Sequence, residues 1–347
     1  RNPQAEFTGR VLPLLHQTAR CGEFRDISCA YACACSGSSV DSSSFSHSGY
    51  DGAFGGKTLE GYKNNIFSAG ARYGFESERF EIVLGADYYY DKVAESTNAP
   101  HHIFPYLKLG WKNSSQGFVP FVEVDGELSR NDYASLIYAN PYLLSNDALA
   151  QGIAAQPNET SYNGRVGFGG NLGDGLFAYN LSAELSLADN HLYWYSVGAD
   201  YFVADAYQHT LHLDGNLLLR PSGKFEAEVR AGVYVWENYD GFYSNRPNFN
   251  VGASLRFLSR RFKAAADVNY ASAIKWMTLD GEVDGKPLFG YTQTNDTLTL
   301  GIEVEWRIND KWAVYAEGRN LTGSKVYEWL HYYRSTPEAM LGVKFSL

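Results

Sequence analysis

Residues 297–308, TLTLGIEVEWRI, alternate without a break. Leu298, Leu300, Ile302, Val304, Trp306 and Ile308 fall on one side, and Thr297, Thr299, Gly301, Glu303, Glu305 and Arg307 on the other. Alternation at every second residue is the side-chain period of a strand. On a helix of about 3.6 residues per turn the same apolar positions would scatter round the axis. FEAEVRAGVYV repeats the pattern, with Phe225, Ala227, Val229, Ala231, Val233 and Val235 against Glu226, Glu228 and Arg230. So does FKAAADVNY, with Phe262, Ala264, Ala266, Val268 and Tyr270 against Lys263, Asp267 and Asn269.

Reading the whole chain this way predicts strands near 63–76, 79–92, 101–112, 118–129, 160–172, 175–188, 197–220, 223–236, 247–258, 261–272, 291–308, 311–322 and 336–347. Tight links fall at 76–79, 113–117, 173–175, 221–223, 259–260 and 309–310. Longer links are expected at about 93–101, 130–160, 189–196, 237–247, 273–291 and 323–335. With 197–220 as one long strand, short and long links alternate strictly. That asymmetry belongs to outer-membrane barrels, which have short periplasmic turns and long outer loops. The expectation is therefore an all-β chain, a transmembrane antiparallel β-barrel of about 14 strands, with one further strand inside residues 1–62 to make the number even. The barrel is placed at 49–347 and a non-barrel segment, a linker or small hatch, at 1–48. The longest link is 130–160, and its Ala/Leu-rich centre from Ala148 to Ala155 suits a short helix.

Composition sharpens this picture. The chain has 26 Tyr, 20 Phe, 7 Trp and 34 Gly in 347 residues, and a mean hydropathy of −0.32. Modest hydropathy with many aromatics fits alternating membrane strands, and no apolar run approaches the roughly 20 residues of a spanning helix. A formal charge of −10 argues against nucleic acid as a partner, since phosphates are held by basic clusters. Catalytic signatures are missing: neither G-x-S-x-G nor H-E-x-x-H occurs, and His209 and His212 differ in parity along one strand. An enzyme is not expected, nor is a cofactor. All four cysteines, Cys21, Cys29, Cys33 and Cys35, lie in one short stretch without the paired C-x-x-C of zinc sites, so disulfides or free thiols are favoured over metal. The chain opens on Arg1 without a signal-peptide apolar stretch, and so reads as processed, truncated or incompletely represented.

Two sets of residues stand out as candidates. The inward face collects Glu123, Asp125, Glu127, Arg165, Glu226, Glu228, Arg230, Glu303, Glu305 and Arg307. Rings of charge can set selectivity along a permeation path. A wet or plugged barrel interior also needs polar groups that pair across strands, and this plainer account is the favoured one. Lys108 and Arg165 are the expected partners of the acidic triplet. The second set is aromatic: Trp236, Tyr239, Phe242 and Tyr243, then Trp329, Tyr332 and Tyr333. Rings at strand ends suit the membrane interface, whereas those in long loops could offer a ligand a stacking platform.

The last two predicted strands are the most family-like part. Asn320-Leu321-Thr322 near the top of the penultimate strand, the loop aromatics Trp329, Tyr332 and Tyr333, and the closing LGVKFSL resemble the end of TonB-dependent receptors. Residues 118–347 are more loosely similar to the C-terminal barrel of such proteins from Bacteroidetes. Against that pattern the chain is short, ends in Leu347 rather than Phe, and shows no full plug domain or TonB box. The resemblance implies a Gram-negative outer membrane, a periplasmic C-terminus, and phospholipid and lipopolysaccharide as surroundings. The functional expectation is a transporter or channel for a nutrient or amphiphilic ligand. The alternative is a non-transporting accessory barrel subunit of a larger outer-membrane complex for barrel assembly, secretion or uptake.

Overall fold

The computed structural model describes residues 29–35, 39–50, 53–54, 57–58, 62–77, 79–93, 100–111, 117–143, 157–173, 175–237 and 241–345. In chain order the strands begin with β1 (Cys29–Cys35), β2 (Ser39–Tyr50), the short pair β3 (Ala53–Phe54) and β4 (Lys57–Thr58), then β5 (Tyr62–Glu76), β6 (Phe80–Val93), β7 (His101–Trp111) and β8 (Val119–Ser129). A helix, α1 (Tyr133–Ala139), precedes β9 (Glu159–Leu172), β10 (Phe177–Val197), β11 (Asp200–Ser222), β12 (Phe225–Glu237), β13 (Phe249–Leu258) and β14 (Phe262–Ala271). The remainder are β15 (Lys275–Val283), β16 (Lys286–Gln293), β17 (Thr297–Arg307), β18 (Trp312–Arg319), β19 (Val326–Trp329), β20 (Tyr332–Arg334) and β21 (Glu338–Phe345).

Pairing follows the chain. β1 pairs with β2, β2 with β5, and each strand from β5 to β13 with the next, always antiparallel. The ladder then passes from β14 to β17, β18 and β21. The β15–β16 hairpin hangs beside β10 on a short parallel register, Tyr195 to Met277 and Ser196 to Thr278, and completes a seventeen-stranded sheet. Seventeen less that hairpin leaves fifteen ladder strands, one more than the fourteen expected. The N-terminal region supplies two, β1 and β2, where one was anticipated. The serine-rich stretch read as linker is largely β2, because its backbone pairs with β5 from Ser39–Tyr73 to Tyr50–Tyr62 whatever its side chains. The ladder therefore begins before residue 49. With an odd number of antiparallel strands, β1 and β21 run in the same direction.

Short and long links alternate as expected except between β10 and β11, and one further expected loop is a hairpin. Residues 189–196, expected as a long loop, are strand: β10 and β11 form a hairpin of 21 and 23 residues closed by two residues at Gly198 (φ +64°). A β-bulge sits in β10 between Ala188 and His191, where Asn190 takes φ +58°. Asp-Asn is turn-like in sequence, but here it only inserts one extra residue into a continuing strand. The insertion exchanges the faces of β10 beyond it. Tyr193 and Tyr195 thus join the side that Glu184 and Ser186 hold below. The expected 273–291 loop is likewise a hairpin, turned by Asp284 and Gly285, both at positive φ as a type I′ turn requires.

The two faces of the ladder differ as the periodicity predicts. Leu298, Ile302 and Trp306 are exposed on one face and Glu305 is buried on the other. The same split runs through β9 to β12, where Val166, Phe168, Leu181, Leu213 and Val233 are all exposed. The fully buried side chains gather instead at the long-loop end: Tyr193, Tyr201, Phe104, Met277, Asn64, Asn140, Asn158 and Asp132. The sheet therefore keeps large apolar groups on its outside and puts its densest packing among the loops.

Candidate functional site: the polar wall and its loop cap

Register brings Lys108, Glu123, Arg165, Glu184, His212 and Tyr234 onto one line across β7 to β12. Charges alternate along it. Arg165 donates through Nε to Glu184 at 2.7 Å and lies 4.0 Å from Glu123. Lys108 stands opposite Glu123 in register but turns to Glu81 at 3.2 Å, so of the two expected partners of the triplet only Arg165 reaches it. Asp125 accepts from Asn163 at 2.9 Å, while Glu127, on the same side, faces Ser161 across the register.

The remaining predicted wall charges pair in the same sideways manner. Glu226 accepts from Arg220 and Arg256, each at 2.9 Å. Glu228 accepts from Asn216 at 3.0 Å, with Arg230 at 3.8 Å. Lys263 donates to Glu303 at 2.9 Å. Glu305, the buried carboxylate, holds Lys344 at 2.5 Å and Arg307 at 3.3 Å, which ties β17 to the last strand. Exposed pairs of this kind contribute at most about 1 kcal/mol each. Their main effect is to cancel charge locally, so the wall presents alternating signs instead of a ring of one sign.

Trp236 also belongs to this wall and not to a loop. His212 stacks on Tyr234 at 4.0 Å and 6°, and Tyr234 on Trp236 at 5.3 Å and 4°. The three rings form a column climbing toward the loop end.

Above the wall the loops close on one another around the tip of the β10–β11 hairpin. Tyr201 is 1 % exposed, and its hydroxyl accepts from the Leu330 amide at 2.7 Å. Trp276 and Leu330 complete that cluster, with Tyr142, Trp194, Ile274, Tyr327, Trp329 and Tyr332 packed on it. Leu136 of α1 and Leu143 pack on Leu192, Trp194 and Val203. Asn245, at φ +55°, accepts from the Met277 amide at 2.8 Å and donates to the Trp194 carbonyl. The helix itself lies at Tyr133–Ala139, capped by Asp132, which accepts from Ser135 N at 2.8 Å. The Ala148–Ala155 stretch expected to be helical lies outside the described residues.

This geometry divides the aromatic candidates. Trp329 packs inside the cap, 5.1 Å from Tyr201 and 5.4 Å from Trp194, and Tyr332 stacks on Tyr142 at 3.3 Å. Phe242 meets Tyr193 and Phe289 edge-on at 5.1 Å. These rings hold loops together and are not an open platform. Tyr243 faces Tyr291 with Lys275 above both rings, and Tyr333 remains exposed beneath Lys325. Tyr239 and Cys21 lie outside the described residues, as do the side chains of Cys29, Cys33 and Cys35. Sequence reading missed Tyr201, Trp276 and Tyr142, whose importance arises only from contacts between distant loops. Burial pushes the Tyr201 phenol up to about 12, and burial alone raises Tyr195.

An antiparallel ladder with an apolar outside, a self-paired polar inside and a packed loop cap at one end defines a transmembrane β-barrel. Solved structures agree on this fold. The FrpB iron transporter of Neisseria meningitidis (F3-3 variant) aligns at TM-score 0.65 and 12% identity, over 92% of this chain and 54% of its own. The ferripyoverdine receptor of the Pseudomonas aeruginosa outer membrane gives 0.62 at 11%, over 88% and 45%. The copper transporter OprC gives 0.61 at 10%, over 89% and 53%. The chain thus spans about half the length of these structures. No family model and no curated protein sequence matches it.

Proposed function

We propose that the chain is an outer-membrane transport barrel of a Gram-negative bacterium, with the polar wall lining the passage and the cap closing its outer mouth. The observation that carries this reading is the packing of separate long loops against the far end of the β10–β11 hairpin, away from the short turns. A barrel serving only as a membrane anchor has no need to gather its loops there. The short-turn end, where β21 terminates, then faces the periplasm. The structural neighbours are an iron transporter, a copper transporter and a ferripyoverdine receptor, which supports an uptake role of TonB-dependent-receptor type. Because the wall charges are paired, the contacts for a nutrient or amphiphile would come from the rings left outward, Tyr243, Tyr291 and Tyr333, and from the Trp236 column.

The test is conductance of the purified chain in planar bilayers. Wild type should be closed or nearly so. Tyr201→Ala, which empties the centre of the cap, should open frequent ion-conducting events. A chain equally silent with a disrupted cap, or one that conducts fully with the cap intact, would remove the gating role.

A further inference from the structure

The two ends of the link that carries α1 are pinned at one buried point beside β5 and β6. Asn158 is 1 % exposed and fills all four of its hydrogen-bonding positions there. Its Oδ1 accepts from Asn64 Nδ2 at 2.8 Å and from the Asn131 amide at 2.9 Å. Its Nδ2 donates to Asn64 Oδ1 at 3.0 Å and to Asp91 Oδ1 at 2.7 Å. The β10 bulge joins the same knot, since Asn190 Nδ2 donates to the Asn158 carbonyl at 3.2 Å. Asp91 is the one titratable group among these five residues. Its Oδ2 lies 4.0 Å from His102 Nε2, too long for a hydrogen bond, and the two side chains are only 9 % and 19 % exposed. That nitrogen is buried and has no hydrogen-bond partner among the described residues.

We propose that Asp91 and His102 form a proton-operated catch on this knot, holding the α1 link in place when they share a proton and loosening it when the proton leaves. With the proton present, an imidazolium faces a carboxylate, and a charge-assisted hydrogen bond can draw the gap closed. Without it, the carboxylate stays buried beside a neutral ring whose nitrogen has lost water and gained no partner, which is the costly arrangement. Burial pushes the Asp91 carboxyl up, the same preference for a bound proton. The closed knot therefore holds the shared proton more tightly than the open one. Its stability is present at acid pH and is lost as the pH rises through the range of about 5 to 8 in which histidine changes charge. The neighbouring charges pair among themselves: Arg130 with Asp132 at 3.8 Å, His191 with Glu159 at 3.1 Å, and Arg72 with Asp87 at 2.8 Å. Tyr89 and Glu127 complete the titratable groups on this side. The catch stands on these contacts, and only its consequence for passage rests on the proposed transport role.

The experiment uses the whole chain in phospholipid nanodiscs and follows amide hydrogen exchange of 131–143 at about pH 5.5 and about pH 8, corrected for the intrinsic pH dependence of exchange. In the wild type this segment should be about tenfold better protected at the lower pH, while 298–306 should not respond. His102→Gln should show no pH dependence. Asp91→Asn keeps an acceptor for Asn158 and should lose the dependence as well, and it decides the matter if the glutamine variant does not fold. Equal protection at both pH values in the wild type overturns the proposal, as does a pH dependence that survives in His102→Gln. Planar-bilayer recording of Tyr201→Ala separates the two readings. Silence there, together with pH-dependent protection in the wild type, supports the catch and counts against the transport role.

Discussion

Replacing Tyr201 by Phe removes a single oxygen from the centre of the cap. That oxygen accepts the Leu330 amide at 2.7 Å, and Leu330 is itself buried. The variant keeps the ring and its edge-on contact with Trp329 at 5.1 Å, so packing changes little. What changes is that a buried backbone donor loses its acceptor, which costs about 1–3 kcal/mol. Tyr201→Ala adds the loss of a fully buried ring and should cost about 3–5 kcal/mol. The cost falls on local opening of the β19–β20 segment and not on the strands below, because the bond joins that segment only to the tip of the β10–β11 hairpin. Amide hydrogen exchange reads this directly. The Leu330 amide should exchange roughly ten to a hundred times faster in the Phe variant, at about 1.4 kcal/mol per factor of ten. Residues 298–306 should be unchanged. Unaltered exchange at Leu330, or equal acceleration in both regions, would show that the cap is not a unit held by this contact.

Three more outcomes follow from the same structure. Because the folded chain holds the Tyr201 proton to about pH 12 against about 10 when unfolded, the linked stability is complete below pH 10. It is lost as pH rises from about 10 to 12. A tyrosinate absorbance titration should show a late-titrating component that is smaller by one phenol in Tyr201→Phe. Glu305→Ala leaves Lys344 and Arg307 without their shared acceptor on the wall, and should lower the temperature at which the folded band is lost on semi-native gels by more than Glu228→Ala does. Protease added to intact cells should cut in 241–248 or 320–325 before it cuts at 221–224 or 308–311, and the reverse order would invert the proposed orientation.

How much of this was legible in the sequence depended on the range of the interaction. The faces of β17 could be read off Leu298 to Arg307 because alternation is local and the membrane enforces it. The alternation of short and long links placed most ladder strands for the same reason. The bulge at Asp189-Asn190 was not legible, since the same dipeptide begins many real turns. Missing it hid the inward aim of Tyr193 and Tyr195. Partner choice on the wall was only half legible: Arg165 meets Glu123 as a lateral neighbour, but Lys108 reaches Glu81 instead, a choice of side-chain direction that register does not fix. The cap was least legible, because Tyr142, Tyr201, Trp276 and Leu330 are distant in sequence and nothing local to any of them marks a shared contact.

The claim on which the whole account rests is that one face of the ladder meets lipid and the other does not. Ile302 and Glu303 are adjacent residues on opposite faces of β17, the first exposed on the apolar side and the second bonded to Lys263 at 2.9 Å. Arginine on the lipid face near the membrane midplane costs about 2–4 kcal/mol. The measurement is folding efficiency into phospholipid vesicles, scored by protease protection of the strands. Ile302→Arg should fold poorly and Glu303→Gln should fold as wild type does. Equal yields from both variants, or a larger defect from Glu303→Gln, would contradict the assignment of faces and with it the transmembrane barrel.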